Sequence, residues 1–236
     1  MGIFASSPML KTIGLFGGTF DPIHKGHVLS ALELKQRLLL DELRLIPCHR
    51  PPHREAVGCD SHGRLAMVRR VLEFEPQLQV DEREIKRNTV SYTIDTLEQL
   101  REELGEKISL CWVMGTDAFA NLGSWHRWSE LLNFAHLIVI TRPDAGLPKE
   151  GPVAELIEEH CNDDPEGLKI SPAGLIRFES LTPYPVSATS IRETIHEIKT
   201  QDRLSENTFL QSVLAQSVLD YIDEHKLYRY QTQQEG

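Results

Sequence analysis

The sequence predicts an α/β fold, an open parallel sheet with helices on both faces, and three observations predict it. Short apolar runs alternate with amphipathic stretches from residue 12 to about residue 142, the pattern left when crossover helices cover a parallel sheet. A glycine pair, Gly17-Gly18, follows the first apolar run, where backbone can come close to a ligand before a helix begins. The chain of 236 residues, 40% hydrophobic, can bury one substantial core with a small appendage rather than two full domains. The class is therefore Rossmann-like, with a lid insertion and a C-terminal helical segment added to the sheet.

Taken in order, residues 1–11 read as an N-terminal extension and residues 12–230 as a single domain. Buried strands are expected at 12–16, 42–46, 78–80, 110–114 and 137–141. Between the first two, Val28, Ala31, Leu32, Leu38 and Leu39 fall at helical spacing, so a helix is expected to begin near His27. A similar stripe, Leu65, Val68, Val71 and Leu72, follows the second strand. From Pro143 to Gly174 the chain is punctuated by prolines and glycines, with one weak helical patch at 153–160; residues 143–175 are read as an insertion or lid. Order resumes at 175–178, a turn follows at Thr182-Pro183-Tyr184-Pro185, and helical patterns at 190–198 and 209–222 make up a C-terminal helical part over 187–230.

A formal charge of -10, from 25 Lys+Arg against 35 Asp+Glu, argues against a nucleic-acid binder, which would need a basic face. Any phosphate must be held by a few placed cations. The start of the chain lacks a basic n-region and a long apolar run, and no later stretch is long enough to span a bilayer, so no membrane partner is expected. Cys48, Cys59, Cys111 and Cys161 form no Cys-x-x-Cys pair, which fits a reducing, cytoplasmic compartment.

The chemistry concentrates in Gly17-Gly18-Thr19-Phe20-Asp21-Pro22-Ile23-His24-Lys25-Gly26-His27, directly after strand 1. Neither Gly-x-Gly-x-x-Gly nor Gly-Lys-Ser/Thr is present, so the commoner phosphate loops are excluded. In their place stand two imidazoles three residues apart at a helix start, with Gly26 between them for close backbone approach. Imidazole N–H groups aimed at an α-phosphate would stabilise the charge that builds during in-line displacement, with no covalent intermediate. A second anion site is expected where Ser187 to Ser190 open a helix and Arg192 adds a bidentate cation. Ser91 is expected to cap the helix carrying Ile94, Leu97, Leu100 and Leu104, which puts Thr93 in a first turn whose N–H groups lack intrahelical partners.

These stretches together resemble a known family. Gly17-Gly18-Thr19-Phe20-Asp21-Pro22 with His24-x-Gly-His27 is similar to the first ATP-binding motif of the HxGH nucleotidyltransferases, and residues 12–230 resemble the bacterial nicotinate-nucleotide adenylyltransferases. Further matching stretches are Pro51-Pro52-His53-Arg54, 81–87, Ser91-Tyr92-Thr93, Gly115-Thr116-Asp117, Trp125 and 186–192. The resemblance implies transfer of AMP from ATP to nicotinate mononucleotide, giving deamido-NAD and pyrophosphate, with Mg²⁺ accompanying ATP. It implies that His24 and His27 contact the ATP phosphates as the catalytic pair. Gly17, Gly18, Thr19, Phe20, Gly26, Gly115 and Asp117 would complete the ATP site, with Ser187, Thr189 and Arg192 on the outer phosphates. It assigns Arg54 to the phosphate region, Trp125 to stacking on the pyridine ring, and backbone N–H groups near Thr93 and His126 to the ring's carboxylate. The family often has Asn where this chain has Cys48 and His49, and Tyr where it has His126.

Two other functions share some of these features. A pantetheine-phosphate adenylyltransferase shares the HxGH loop but is a shorter chain without the lid, Ser91-Tyr92-Thr93 and Trp125. A non-catalytic nucleotide-binding regulator would keep the fold while losing the motif, yet both histidines and Arg192 are present. Cys48, His49, His53, Cys59 and His62 crowd one loop, but their spacing fits no zinc pattern and no resident metal is expected.

Overall fold

A computed structural model describes residues 9–50, 58–87, 89–141, 146–164, 166–199 and 202–229. Six parallel strands, β1 (Lys11–Gly18), β2 (Glu42–Pro47), β3 (Gln79–Val80), β4 (Ile108–Gly115), β5 (His136–Thr141) and β6 (Ile176–Ser180), form one sheet in the order β3-β2-β1-β4-β5-β6. Each strand expected from the apolar runs is present. The run at 78–80 supplies only the short edge strand β3.

Alternation along the strands divides the core in two. On β4, Leu110, Trp112 and Met114 enter one cluster with Ile13 and Leu15 of β1, while Cys111 and Val113 enter the other with Leu43 and Leu45 of β2. Both faces of the central strands are buried, which is why they read as continuous apolar runs. The first cluster is covered by α4 (Thr93–Leu104) through Ile94, Leu97 and Leu100, by Phe119 of α5 (Thr116–Ala120) and by Val153 of α6 (Pro152–His160). The second is covered by α1 (Lys25–Arg37), α2 (Ser61–Leu72), α8 (Ala188–Glu197), α9 (Thr208–Val213) and α10 (Gln216–Glu224). The short helices α3 (Arg83–Arg87) and α7 (Gly167–Ile170) complete the connections, with α6 and α7 both inside the β5-to-β6 crossover.

Helix α1 begins near His27 as expected, its first residue being Lys25 and its extended N-cap His24, so the imidazoles occupy the cap and the first turn; the C-terminal part departs from expectation. The pattern at 209–222 is two helices, because Leu214 and Ala215 are extended and the break lets Leu214 sit 2% exposed in the core. Asn207 caps α9 by accepting from the Leu210 N–H at 3.0 Å, a local signal that this helix starts afresh. No helix among the described residues is long and apolar enough to cross a membrane.

Candidate active site

Strand β1 feeds α1 and β2 on one side of the sheet, and β4 feeds α5 and β5 on the other, so the strand order reverses between β1 and β4. Ligands of open α/β sheets bind at the carboxyl ends of such a pair. A Cβ on Gly17 would lie 2.7 Å from Trp112 Cζ2, and one on Gly18 would lie 2.8 Å from Phe20 Cζ, so neither position accepts a side chain. Half-buried Thr19 leads to Phe20, which is buried with a left-handed φ of 51°, and its ring meets that of His27 edge-on at 5.1 Å.

The two imidazoles stack, with centroids 3.7 Å apart and planes at 23°. The His24 backbone N–H donates to His27 Nδ1 at 3.3 Å, which leaves the His27 proton on Nε2. His24 is 7% exposed, and burial pushes its pKa down to about 4, so it is a neutral hydrogen-bonding group at pH 7. Its Nδ1 is buried without a hydrogen-bond partner among the described residues. Gly26 permits this geometry, since a Cβ there would lie 2.9 Å from Val186 Cγ1 and 3.0 Å from His24 Nδ1.

Val186 belongs to the segment that leads into α8. Ser187 is the N-cap of that helix and accepts from the Ser190 N–H at 3.1 Å. Arg192 donates through Nη1 to the Asp21 carbonyl at 2.7 Å and through Nη2 to Thr189 Oγ1 at 3.3 Å. The fold thus brings Ser187, Thr189 and Arg192 against the exit of β1. Two residues absent from the expected site hold this region together. Asp21, 4% exposed, accepts from the Gly58 N–H at 2.8 Å, the Cys59 N–H at 3.2 Å and the Tyr228 hydroxyl at 2.6 Å. Arg64 is fully buried and donates to the carbonyls of Cys48 at 2.7 Å, His49 at 3.0 Å, Cys59 at 3.3 Å and Thr19. Its carbonyl partners come from both the phosphate-loop candidate and the exit of β2.

On the β4 side, Gly115 caps α5, the Thr116 hydroxyl donates to the Ile140 carbonyl at 3.0 Å, and exposed Asp117 lies in the first turn. Beyond α5, half-buried Trp125 packs against the core and exposed His126 places its ring 4.6 Å from Tyr92. Arg127 pairs with Glu98 of α4 at 2.8 Å and with Glu130 at 2.6 Å, tying this loop to that helix. Thr93 is the first residue of α4, whose Thr96 N–H bonds back to the Tyr92 carbonyl at 3.4 Å, and the contact of the Tyr92 and His126 rings brings the start of α4 beside the loop that carries His126. The N-cap position belongs to Tyr92, not Ser91. The Ser91 hydroxyl instead accepts from the His49 N–H at 2.9 Å and also bonds Glu84, a tertiary competition that removes it from capping. Glu84 also accepts from the Thr96 hydroxyl at 2.8 Å, and burial raises its pKa.

Arg54, with His53, lies outside the described residues. On the flanking described residues, His49 Nδ1 bonds Ser61 Oγ at 2.8 Å, and burial pushes the Cys59 thiol up to about 11. No group of three His, Cys, Asp or Glu among the described residues is placed to hold a metal ion.

A family model described as cytidylyltransferase-like matches residues 15–194. A Cellvibrio japonicus protein named probable nicotinate-nucleotide adenylyltransferase is 45% identical over 221 residues, covering 94% of this chain and 100% of that protein. A Pseudomonas aeruginosa protein of the same name is 44% identical, covering 94% of this chain and 99% of its own. The chain belongs to the nicotinate-nucleotide adenylyltransferases. Among solved structures, Plasmodium falciparum nicotinic acid mononucleotide adenylyltransferase complexed with NaAD has a TM-score of 0.67 at 16% identity, over 92% of this chain and 97% of that one. That likeness is one of fold. Asp21 and Arg64 have no role that the sequence alone assigns. The signal for Arg64 is its helical spacing from Val68 and Val71, which puts this arginine of α2, unlike Arg69 and Arg70, on the apolar stripe.

Proposed function

We propose that this chain transfers the adenylyl group of ATP to nicotinate mononucleotide. A 5′-phosphate oxygen of the mononucleotide forms a bond to the α-phosphorus of ATP while the bond to the β-phosphate oxygen breaks, giving deamido-NAD and pyrophosphate. The observation that best supports the residue roles is the buried, unpartnered Nδ1 of His24 beside the His27 ring at a helix start. An orphaned buried polar atom costs about 1–3 kcal/mol, a cost relieved when a ligand satisfies it. In this reading His24 and His27, both in the first turn or cap of α1, donate to the α-phosphate, where the helix end also favours an anion. Gly17, Gly18, Thr19, Phe20, Gly26, Gly115 and Asp117 shape the ATP site. Ser187, Thr189 and Arg192 hold the phosphates that depart, and Arg54 serves the mononucleotide phosphate.

Mg²⁺ accompanies ATP in this proposal, carried by the phosphates, because the described residues offer no protein cage for it. We assign residues 12–230 to one catalytic unit with 143–175 as the lid, and the free thiols of Cys48, Cys59, Cys111 and Cys161 suit the cytoplasm.

Selectivity for the acid follows from the donors on offer. Trp125 stacks on the pyridine ring, and N–H groups near Thr93 and His126 receive its carboxylate. A carboxamide would turn NH₂ toward those donors and leave buried groups unpaired, at about 1–3 kcal/mol. The test is pyrophosphate release from ATP with nicotinate mononucleotide, nicotinamide mononucleotide and phosphopantetheine as acceptors. We expect kcat/KM at least about tenfold higher for nicotinate mononucleotide than for its amide. Equal values would remove the acid-specific reading, turnover of phosphopantetheine alone would reassign the acceptor, and no turnover with any acceptor would make the chain a regulator.

A further inference from the structure

Near the C-terminus, Tyr228 reaches back across the whole chain to the first loop. Its hydroxyl donates to Asp21 Oδ1 at 2.6 Å, and its ring lies against Gly58, where an added Cβ would come within 2.9 Å of both Cδ1 and Cε1. The same point on Gly58 is 3.1 Å from Arg192 Cδ, so tyrosine ring, glycine and arginine stem form one packed layer. The strap that carries Tyr228 is fixed on its far side by Arg229, which is 8% exposed and donates to the carbonyls of Lys199 at 2.7 Å and Asp202 at 2.8 Å while pairing with Asp223. Lys226 and Tyr228 both have left-handed φ, 52° and 61°, a backbone the anchoring contacts must hold in place. Burial and the neighbouring Asp21 carboxylate push the phenol pKa up, which keeps the hydroxyl a neutral donor.

The arrangement around Asp21 is a competition for one guanidinium. Arg192 Nη1 bonds the Asp21 backbone carbonyl at 2.7 Å yet stands 4.0 Å from its carboxylate, too far for a hydrogen bond. The carboxylate is held by the Tyr228 hydroxyl and the Cys59 N–H at Oδ1 and by the Gly58 N–H at Oδ2, the oxygen nearer Arg192. We propose that Tyr228 is a positioning residue: by pinning the Asp21 carboxylate through Oδ1 it keeps Oδ2 from closing on Arg192 as a hydrogen-bonded ion pair and leaves the guanidinium available to the departing phosphates of ATP. The inference rests on the adenylyltransferase reading and on Arg192 as a phosphate ligand.

The test is Tyr228→Phe, which keeps the ring and its packing and removes only the hydroxyl. With the wild type turning over ATP and nicotinate mononucleotide, the variant is expected to raise KM for ATP by about three- to tenfold, the range for one lost hydrogen bond, with KM for the mononucleotide unchanged. Unchanged KM for ATP overturns the proposal. A parallel rise in both KM values accompanied by a lowered Tm also overturns it, because that is the signature of a strap that only stabilises the fold. Tyr228→Phe combined with Arg192→Ala is the control. If the hydroxyl acts through Arg192, its removal adds no further loss of ATP binding in that background, and an additive loss would sink the idea. A wild type without turnover would instead count against the function proposed above, so the two failures are distinguishable.

Discussion

His24 at the exit of β1 and His136 at the start of β5 share deep burial and a pKa pushed down to about 4, yet their nitrogens are treated differently. His136 Nε2 lies 2.9 Å from the Ser171 carbonyl, and its Nδ1 accepts from the Leu175 N–H at 3.1 Å, so both ring atoms are used in pinning the β5-to-β6 crossover onto the sheet. His24 has no such pair, and its Nδ1 is left unmatched next to a second imidazole. Burial and a depressed pKa do not separate the two residues. Hydrogen-bond satisfaction does, because a fold that leaves a buried donor or acceptor unpaired forgoes stability that a ligand can restore.

The largest expected effect tests the catalytic half of this comparison. His27→Ala, and less strongly His24→Ala, should lower kcat by about a hundred- to a thousandfold, with a smaller change in KM for ATP, because donors to the reacting phosphate act mainly in the transition state. His136→Leu should leave kcat near the wild-type value. Near-normal turnover by the His24→Ala/His27→Ala double variant would break the comparison at its base.

Acid titration tests what the two residues share. In the unfolded chain each imidazole takes up a proton below about pH 6.5, whereas the folded form resists protonation until about pH 4. Stability should therefore be full above about pH 6.5 and fall as pH drops toward 4, by up to about 3 kcal/mol per histidine. Denaturant unfolding between pH 7 and pH 4.5 measures the slope. His136→Leu should lose about 1–3 kcal/mol at pH 7, through its orphaned carbonyl and N–H, and should show a shallower pH dependence. An unchanged slope would mean that His136 is protonated in the folded protein.

Arg192 sharpens the contrast from the cation side, since it is anchored to backbone yet assigned to a ligand. Arg192→Ala should weaken ATP binding by about 1.5–3 kcal/mol, measured by titration calorimetry, while Tm changes little. Lost stability with normal ATP affinity would place Arg192 with His136 as a structural residue.

The strands and the HxGH loop were legible in the sequence for the same reason. Central parallel strands are buried on both faces and leave unbroken apolar runs, and His24, Gly26 and His27 fall within one helix turn, so chain connectivity alone brings them together. The start of α4 was legible to within a residue, although the N-cap position expected of Ser91 falls to Tyr92, whose side chain makes no capping bond, because His49 and Glu84 claim the Ser91 hydroxyl. The division of 209–222 into two helices was not legible, because the helical period continues through the break and only the core pocket for Leu214 interrupts it.

By itself, then, the sequence determined the α/β class, the glycine and histidine loop after β1, and the serine-capped start of α8, all features set by residues close together in the chain. Only the tertiary structure decided that Tyr228 would meet Asp21, that Arg64 would be sealed beneath Thr19, Cys48 and His49, and that Arg192 would choose a carbonyl over the carboxylate beside it. Those contacts join positions as much as 207 residues apart. Local propensity carries no information about such partners, because a hydrogen bond at that separation exists only once the sheet order and the helix packing have closed the loop between its ends.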